Sequence, residues 1–487
     1  MRKAGWLAIG ATQSRPRVGS ATRKTMELGS QPADQPGEAD VQLLTAAATG
    51  DLALAKRARA AGACLDATEP KKNRCAMHQA AAHGHCHLIE YLLGEGAPAD
   101  QRTLKGHTPL HAASVAGQSM AAKLLIAEGA NPSALDRTGA APLHWAAQQG
   151  HAVLVELLLL RGANTRSPGV IGSSQQQPLP PLHRAAIAGH LAVVQLLLEI
   201  GQVAVDTADC NQWTVLHYAA QKGQESVAQL LLERGAQPNV RADRGRCPLH
   251  VAARNGHDCV ARLLLSHRGA VDARNDDGFS PLHWAALHGH SSLCKLLLEH
   301  GAQRAAVTAK GVSALHLTAH FGQLECAGML LDGDGETEIS QDSIFALVDV
   351  RDEEGRTALH EASEGGHEDV VSLLLSVGAS PYVKDIYGDT PWNDAQEAGH
   401  TQVVALIWAT LTRGSRPRAA QSKWKATAAR AMAIQRASSK DAAAAAKGTG
   451  SRRTSAGPLG GIGSACCTLA RGVGSRAAET KEEDKES

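Results

Sequence analysis

The chain has 487 residues, 43% of them hydrophobic but only 3% aromatic, and 49 basic against 48 acidic residues leave a formal charge of +1. That length exceeds one ordinary globular core, and so few large rings suit many thin interfaces packed with small side chains better than one large core. Near-neutral charge excludes a polyanion binder over the whole chain, and no apolar run approaches the roughly 18 residues of a membrane span.

Residues 1–26 contain Arg2, Lys3, Arg15, Arg17, Arg23 and Lys24, with no acidic residue before Glu27. That composition is compatible with an organelle transit peptide. No apolar h-region or amphipathic period accompanies the charges, so residues 1–40 read as a disordered basic leader.

From residue 41 the sequence repeats itself. Histidine recurs at His78, His111, His144, His183, His217, His250, His283, His316 and His360, at intervals of 33 or 34 residues except for one of 39 and one of 44. The words around it return too, as in Thr108-Pro109-Leu110-His111-Ala112-Ala113 and Ser280-Pro281-Leu282-His283-Trp284-Ala285-Ala286. A capping hydroxyl followed by proline starts a helix, because the hydroxyl satisfies an orphan N–H and proline supplies a fixed φ. Thr108, Thr214, Ser280, Ser313, Thr357 and Thr390 fill that cap. Ala141, Pro180, Cys75 and Cys247 stand there in other copies and are expected to leave the histidine one partner short, at about 1 kcal/mol each.

The paired alanines predict a short helix on which neighbours approach closely, ended by a glycine such as Gly117, Gly150 or Gly256. A second helix carries a leucine run such as Leu157-Leu158-Leu159-Leu160 and stops at a Gly-Ala pair, and a turn with Asp or Asn leads to the next cap. About eleven copies fill residues 41–410. The first, Leu43 to Ala63, lacks the Pro-Leu-His word, and the last has Asn393 for histidine, which suits capping units. Two insertions, near 166–177 and 332–346, are expected to form loops between stacked units. The acidic run at Asp332 is no calcium loop, because Thr337 stands where glycine is required and Ser343 where a bidentate glutamate is required.

Residues 411–487 are rich in Ala, Gly and Ser, and from Arg413 to Arg476 Asp441 is the only acidic residue. The segment reads as a disordered basic tail, with a transient helix from Gln421 to Lys447. Trp424, Met432 and Ile434 among its basic residues allow calmodulin, acidic-membrane or nucleic-acid contact. Ser455, behind Arg452-Arg453, resembles a basophilic kinase site, and Cys466 and Cys467 are candidates for palmitoylation. The ten cysteines form no CxxC pair, and Cys259, Cys294 and Cys326 read as reduced core residues of a cytoplasmic or nuclear protein.

The repeated words and their period resemble the ankyrin-repeat family. The resemblance implies an all-α solenoid of helix-turn-helix units with β-turn fingers, and a non-enzymatic scaffold or adaptor that binds partner proteins on its concave face. It also implies that the ladder histidine is structural and that partners touch the finger tips and exposed sides of the first helices. At those positions the copies differ most, and they yield the candidate protein-binding residues Trp213, Lys222, Arg244, Arg246, Arg254, Phe279, His288, Phe321, Arg356 and Tyr387. Trp145, Tyr218 and Trp284, next to the ladder histidine, read as packed between repeats. No Walker loop, GxSxG elbow or HExxH helix occurs, so no catalytic residue, metal, cofactor or small-molecule substrate is expected. Two other readings make the array the targeting subunit of an enzyme complex (ubiquitin-ligase, signalling or acyl-transfer), or make the basic tail a membrane or nucleic-acid tether.

Overall fold

A computed structural model describes residues 37–69, 73–166, 179–332 and 341–412. The leader, the insertion around 167–178 and the tail with Ser455, Cys466 and Cys467 lie outside the described residues. The described residues form eleven helix pairs and one extra helix, joined by turns, with three isolated β-bridges and no strands.

Each pair follows from the repeated sequence. In Pro109–Ala116, Pro142–Gln149, Val215–Lys222, Pro248–Asn255 and Pro281–His288 the first helix begins behind an extended cap residue. Each ends at a left-handed glycine, as at Gly117 with φ 74° and Gly256 with φ 72°. The second helices, such as Ala152–Leu160 and Asp258–Ser266, carry the leucines and end where another left-handed residue turns the chain. At one such end the expected glycine, Gly269, is not left-handed, and Arg268 takes that conformation with φ 65°. Ala113, Ala146, Ala219, Ala252 and Ala285 are fully buried, as are Leu125, Leu158, Leu231, Leu264 and Leu297. Successive first helices pack more closely than successive second helices. Small alanines on one row and bulky leucines on the other therefore curve the stack, with first helices and fingers on the inner side.

The ladder histidines are buried and join the copies. In the copy of His111, Nδ1 lies 2.9 Å from the Thr108 hydroxyl and accepts the Thr108 N–H at 3.1 Å, while Nε2 donates across the interface to the Ala140 carbonyl at 3.1 Å. His217, His250 and His316 repeat this bridge to Arg246, Phe279 and Arg356. The cap hydroxyl thus serves the imidazole more closely than the helix N–H, which approaches Thr108 and Ser313 only at 3.4 Å. Cys75 and Cys247 leave no partner missing, contrary to expectation, because each thiol sits 2.9 Å from the histidine Nδ1. Pro180 has neither hydroxyl nor N–H, and the buried Nδ1 of His183 has no partner among the described residues. His144, before the first insertion, keeps the Ala141 N–H at 3.0 Å, but its Nε2 has no partner among the described residues.

A second set of bridges runs along the other end of each first helix. His151, His190, His257, His290, His367 and His400 open second helices, and each donates Nε2–H to a carbonyl of the preceding copy at 2.9–3.3 Å. Gln224 does the same at 3.4 Å. These rings lie over the preceding glycine cap, so that a Cβ on Gly256 would stand 2.6 Å from His290.

The second insertion is not all loop. Gln341–Val348 is a helix whose Leu347 and Val348 are buried, and it packs on the second helix Glu368–Val377 of the next copy. Its apolar run Ile344-Phe345-Ala346-Leu347-Val348 supplies the face that a solvated loop would not need. Cys294 and Cys326 are buried as expected, whereas Cys259 is exposed.

Candidate functional site

The fingers place the variable residues. In several of them an Asp or Asn carboxylate or amide oxygen accepts backbone N–H groups two and four residues on: Asp209 from Asn211 and Trp213, Asn275 from Asp277 and Phe279, Asp352 from Glu354 and Arg356. Adjacent tips are tied by main-chain bonds, Asp243 N–H to Asn211, Asp276 to Arg244, Ala309 to Asp277 and Glu353 to Lys310, at 3.0–3.2 Å. From Asn211 to Glu353 the tips form a continuous rim beside the row of first helices.

The ten candidate residues fall into two groups. Lys222, Arg244, Phe321 and Tyr387 are exposed on the rim or at the ends of first helices. Tyr387 lies with exposed Tyr382 and Ile386 near the last finger. The other six are half-buried and engaged within the protein. Arg246 lies 5.4 Å over the Trp213 ring and grips Asp243 with two contacts of 2.7 and 2.9 Å. The Trp213 indole N–H donates to the same carboxylate. Trp213 also leans on Tyr218 at 5.2 Å, and the Tyr218 hydroxyl donates to Asp209 at 2.7 Å. Burial and that neighbouring carboxylate push the Tyr218 phenol up.

Toward the C-terminus the chemistry changes. Arg254 lies 5.4 Å over Trp284, Phe279 approaches the same ring at 5.5 Å, and His288 stacks on it at 6.0 Å. Burial first, and Arg254 and His290 second, lower His288 to about 4, so it is neutral at physiological pH. Arg356 joins an ionic cluster with Glu361 at 3.4 Å, Glu364 at 2.5 Å and Asp394 at 3.5 Å. Asp394 is raised to about 7 by burial and by Glu364, Asp385 and Asp389, against the pull of Arg356. His320 pairs with Glu361 at 2.7 Å, and that bond raises its pKa.

Several participants were not among the sequence candidates. Asp243 is the shared anchor of Trp213 and Arg246. Arg184 lies 5.4 Å over Trp145 and bonds Gln148, and Trp284, read from sequence as packing, is the hub of its cluster. Comparing the residue after the ladder histidine with its neighbours in the two adjoining copies would have exposed these contacts. Among the described residues no group of three or more His, Cys, Asp or Glu side chains is placed to hold a metal ion. No described helix is long and apolar enough to cross a membrane.

The arrangement offers aromatic rings decked by arginines, a rim of exposed side chains and a patch of acids. No curated protein matches the chain. A family model described as ankyrin repeats (3 copies) matches residues 43–136, 77–169, 143–242, 235–307 and 302–385. Repeats of this kind are generally protein–protein interaction modules. The stacked helix pairs, the fingers and these matches establish that the chain belongs to the ankyrin-repeat family.

Proposed function

We propose that the protein is a non-enzymatic scaffold or adaptor that binds partner proteins along the inner face of its solenoid. The observation that carries this reading is the division of labour on each repeat. Residues shared by the copies are buried and spent on joining repeats, while Lys222, Arg244, Phe321 and Tyr387 stand exposed in a fixed frame. Side chains that differ from copy to copy on a rigid scaffold suit recognition. The reading places the protein in a reducing compartment, the cytoplasm or nucleus. In support, the Cys75 and Cys247 thiols serve as hydrogen-bonding partners of ladder histidines.

The test begins with partners recovered by proximity labelling of the full chain, followed by affinity measurement for one of them. Replacing Lys222, Arg244, Phe321 and Tyr387 together by alanine should weaken that affinity about tenfold or more. Unchanged affinity would refute this placement of the interface. Binding that instead disappears when residues 411–487 are removed, and weakens with salt, would assign the interaction to the basic tail.

A further inference from the structure

Two copies of the inner face share a small device that a third copy lacks. The residue after the ladder histidine points a donor at the finger carboxylate nine positions earlier. Trp145 Nε1–H donates to Asp136 Oδ2 at 3.1 Å, and the Tyr218 hydroxyl donates to Asp209 Oδ2 at 2.7 Å. The other oxygen of each carboxylate caps the turn, Asp136 Oδ1 taking the Thr138 and Ala140 N–H groups. Hydrogen bonds, from His107 foremost, hold Asp136 well below the usual carboxylate range despite its burial.

In the copy of His283 that carboxylate is replaced by Asn275. Its Oδ1 still takes the Asp277 and Phe279 N–H groups at 3.1 and 2.7 Å, so the finger folds. Its other terminal atom is an amide nitrogen, a donor, and cannot receive an indole N–H. Trp284 Nε1 is buried without a partner among the described residues, and so is Nε2 of His288 stacked on it. The Arg254 guanidinium, over the same indole, makes no hydrogen bond or ion pair among the described residues. The comparable arginines are both held: Arg246 by Asp243, and Arg184 by Gln148 at 3.1 Å and the Leu179 carbonyl at 3.2 Å. Neighbouring Asp276 is occupied by Arg241 at 3.0 Å. Three polar groups that can all donate therefore lie around one indole, whose N–H lacks the carboxylate acceptor that Trp145 and Tyr218 have in their copies.

Resting on the interaction reading above, we propose that Arg254, Trp284 and His288 form a carboxylate-receiving subsite, filled by an aspartate or glutamate side chain on an extended segment of a partner protein. The guanidinium fork matches a carboxylate in two parallel bonds. By swinging off the indole to meet it, Arg254 uncovers Nε1–H for the same anion. Phe279 gives the segment an apolar wall, and exposed Lys222 and Arg244 on the preceding copies extend the positive surface along its path. A buried donor left without an acceptor is costly, so the subsite favours a ligand that supplies one.

The test is selection of random nine-residue peptides displayed on phage against the full-length chain, followed by fluorescence polarisation with the best synthetic peptide. An Asp or Glu should be enriched at one position. Exchanging it for the amide, or introducing Arg254→Gln, should each weaken binding about tenfold or more, with little further loss when the two are combined. Asn275→Asp is the complementary variant. It restores an internal acceptor for Trp284 and keeps a finger residue that positions 136, 209, 352 and 385 already use, so it should fold and still weaken the peptide. Peptides without an acidic position, or acidic peptides indifferent to both variants, overturn the subsite. If such peptides are nonetheless lost on Phe279→Ala or Phe321→Ala, the interaction reading survives that failure. If no inner-face substitution affects any of them, both fall.

Discussion

Gly256→Ala tests the physical logic of the stack, because two separate costs meet at one glycine. Its φ of 72° is left-handed, a conformation that costs a residue bearing Cβ roughly 1–2 kcal/mol. The new Cβ would also lie 2.6 Å from the His290 ring of the next copy. The ring must move, and its 3.2 Å bond to the Arg254 carbonyl goes with it, a loss of about 1 kcal/mol. Together these predict about 2–3 kcal/mol. Gly129 is the control, left-handed at φ 90° with nothing within 4 Å of its built Cβ, so Gly129→Ala should show only the backbone cost, about 1–2 kcal/mol. Urea unfolding followed by circular dichroism measures both. A double-mutant cycle with His290→Ala should return about 1 kcal/mol of coupling. Equal losses at the two glycines, or strict additivity in the cycle, would refute the claim that the ring and the glycine are fitted to each other.

Three further expectations come from the buried imidazoles. Pro180→Ser supplies both a hydroxyl and an N–H to the orphaned Nδ1 of His183 and should raise stability by about 1 kcal/mol in urea titration. Cys247→Ser should be nearly neutral, whereas Cys247→Ala removes the group 2.9 Å from His250 Nδ1 and should cost about 1 kcal/mol; thermal melts of the two variants distinguish them. Burial lowers His111, His217, His250 and His283 to about 4. Because the unfolded chain binds protons first, stability is complete above about pH 6.5 and falls as the pH drops toward 4. A melting temperature unchanged between pH 7 and pH 5 would contradict this.

Most of the architecture was legible because each repeat restates it: the histidine, the alanine pair and the glycines recur at one register, and the helices stand where they predict. What stayed hidden was pairing between copies. Cys75 and Cys247 read as defective caps because only a hydroxyl counts as the histidine's partner in that reading, whereas a thiol reaches the imidazole as well. The second row of bridging histidines was visible as the recurring Gly-His dipeptides at 150–151, 189–190, 256–257 and 289–290, but its meaning depends on which carbonyl of the preceding copy lies above. Trp213, Arg246 and Arg356 were chosen for side-chain type. Their engagement with Asp243 or with Glu361 and Glu364 is set by neighbours in space, which sequence spacing alone does not give. The helix Gln341–Val348 lies in an insertion, where the interrupted repeat gives no register from which to read a helix.

The unpartnered imidazole atoms of His144 and His183 flank the same insertion. A ladder histidine with both ring nitrogens engaged is a rivet through two copies; among the described residues His283 Nε2 is loose as well, but only at this joint do two neighbouring rivets each have a loose end. The array is therefore mechanically uneven, two stiffer spans meeting at a weaker seam. A pull applied to its ends, or an opening fluctuation at rest, should part the copies of His144 and His183 before it parts those of His250 and His283, which the bond from His250 to the Phe279 carbonyl joins. The stretch that carries the proposed carboxylate subsite then keeps its curvature while the N-terminal span swings.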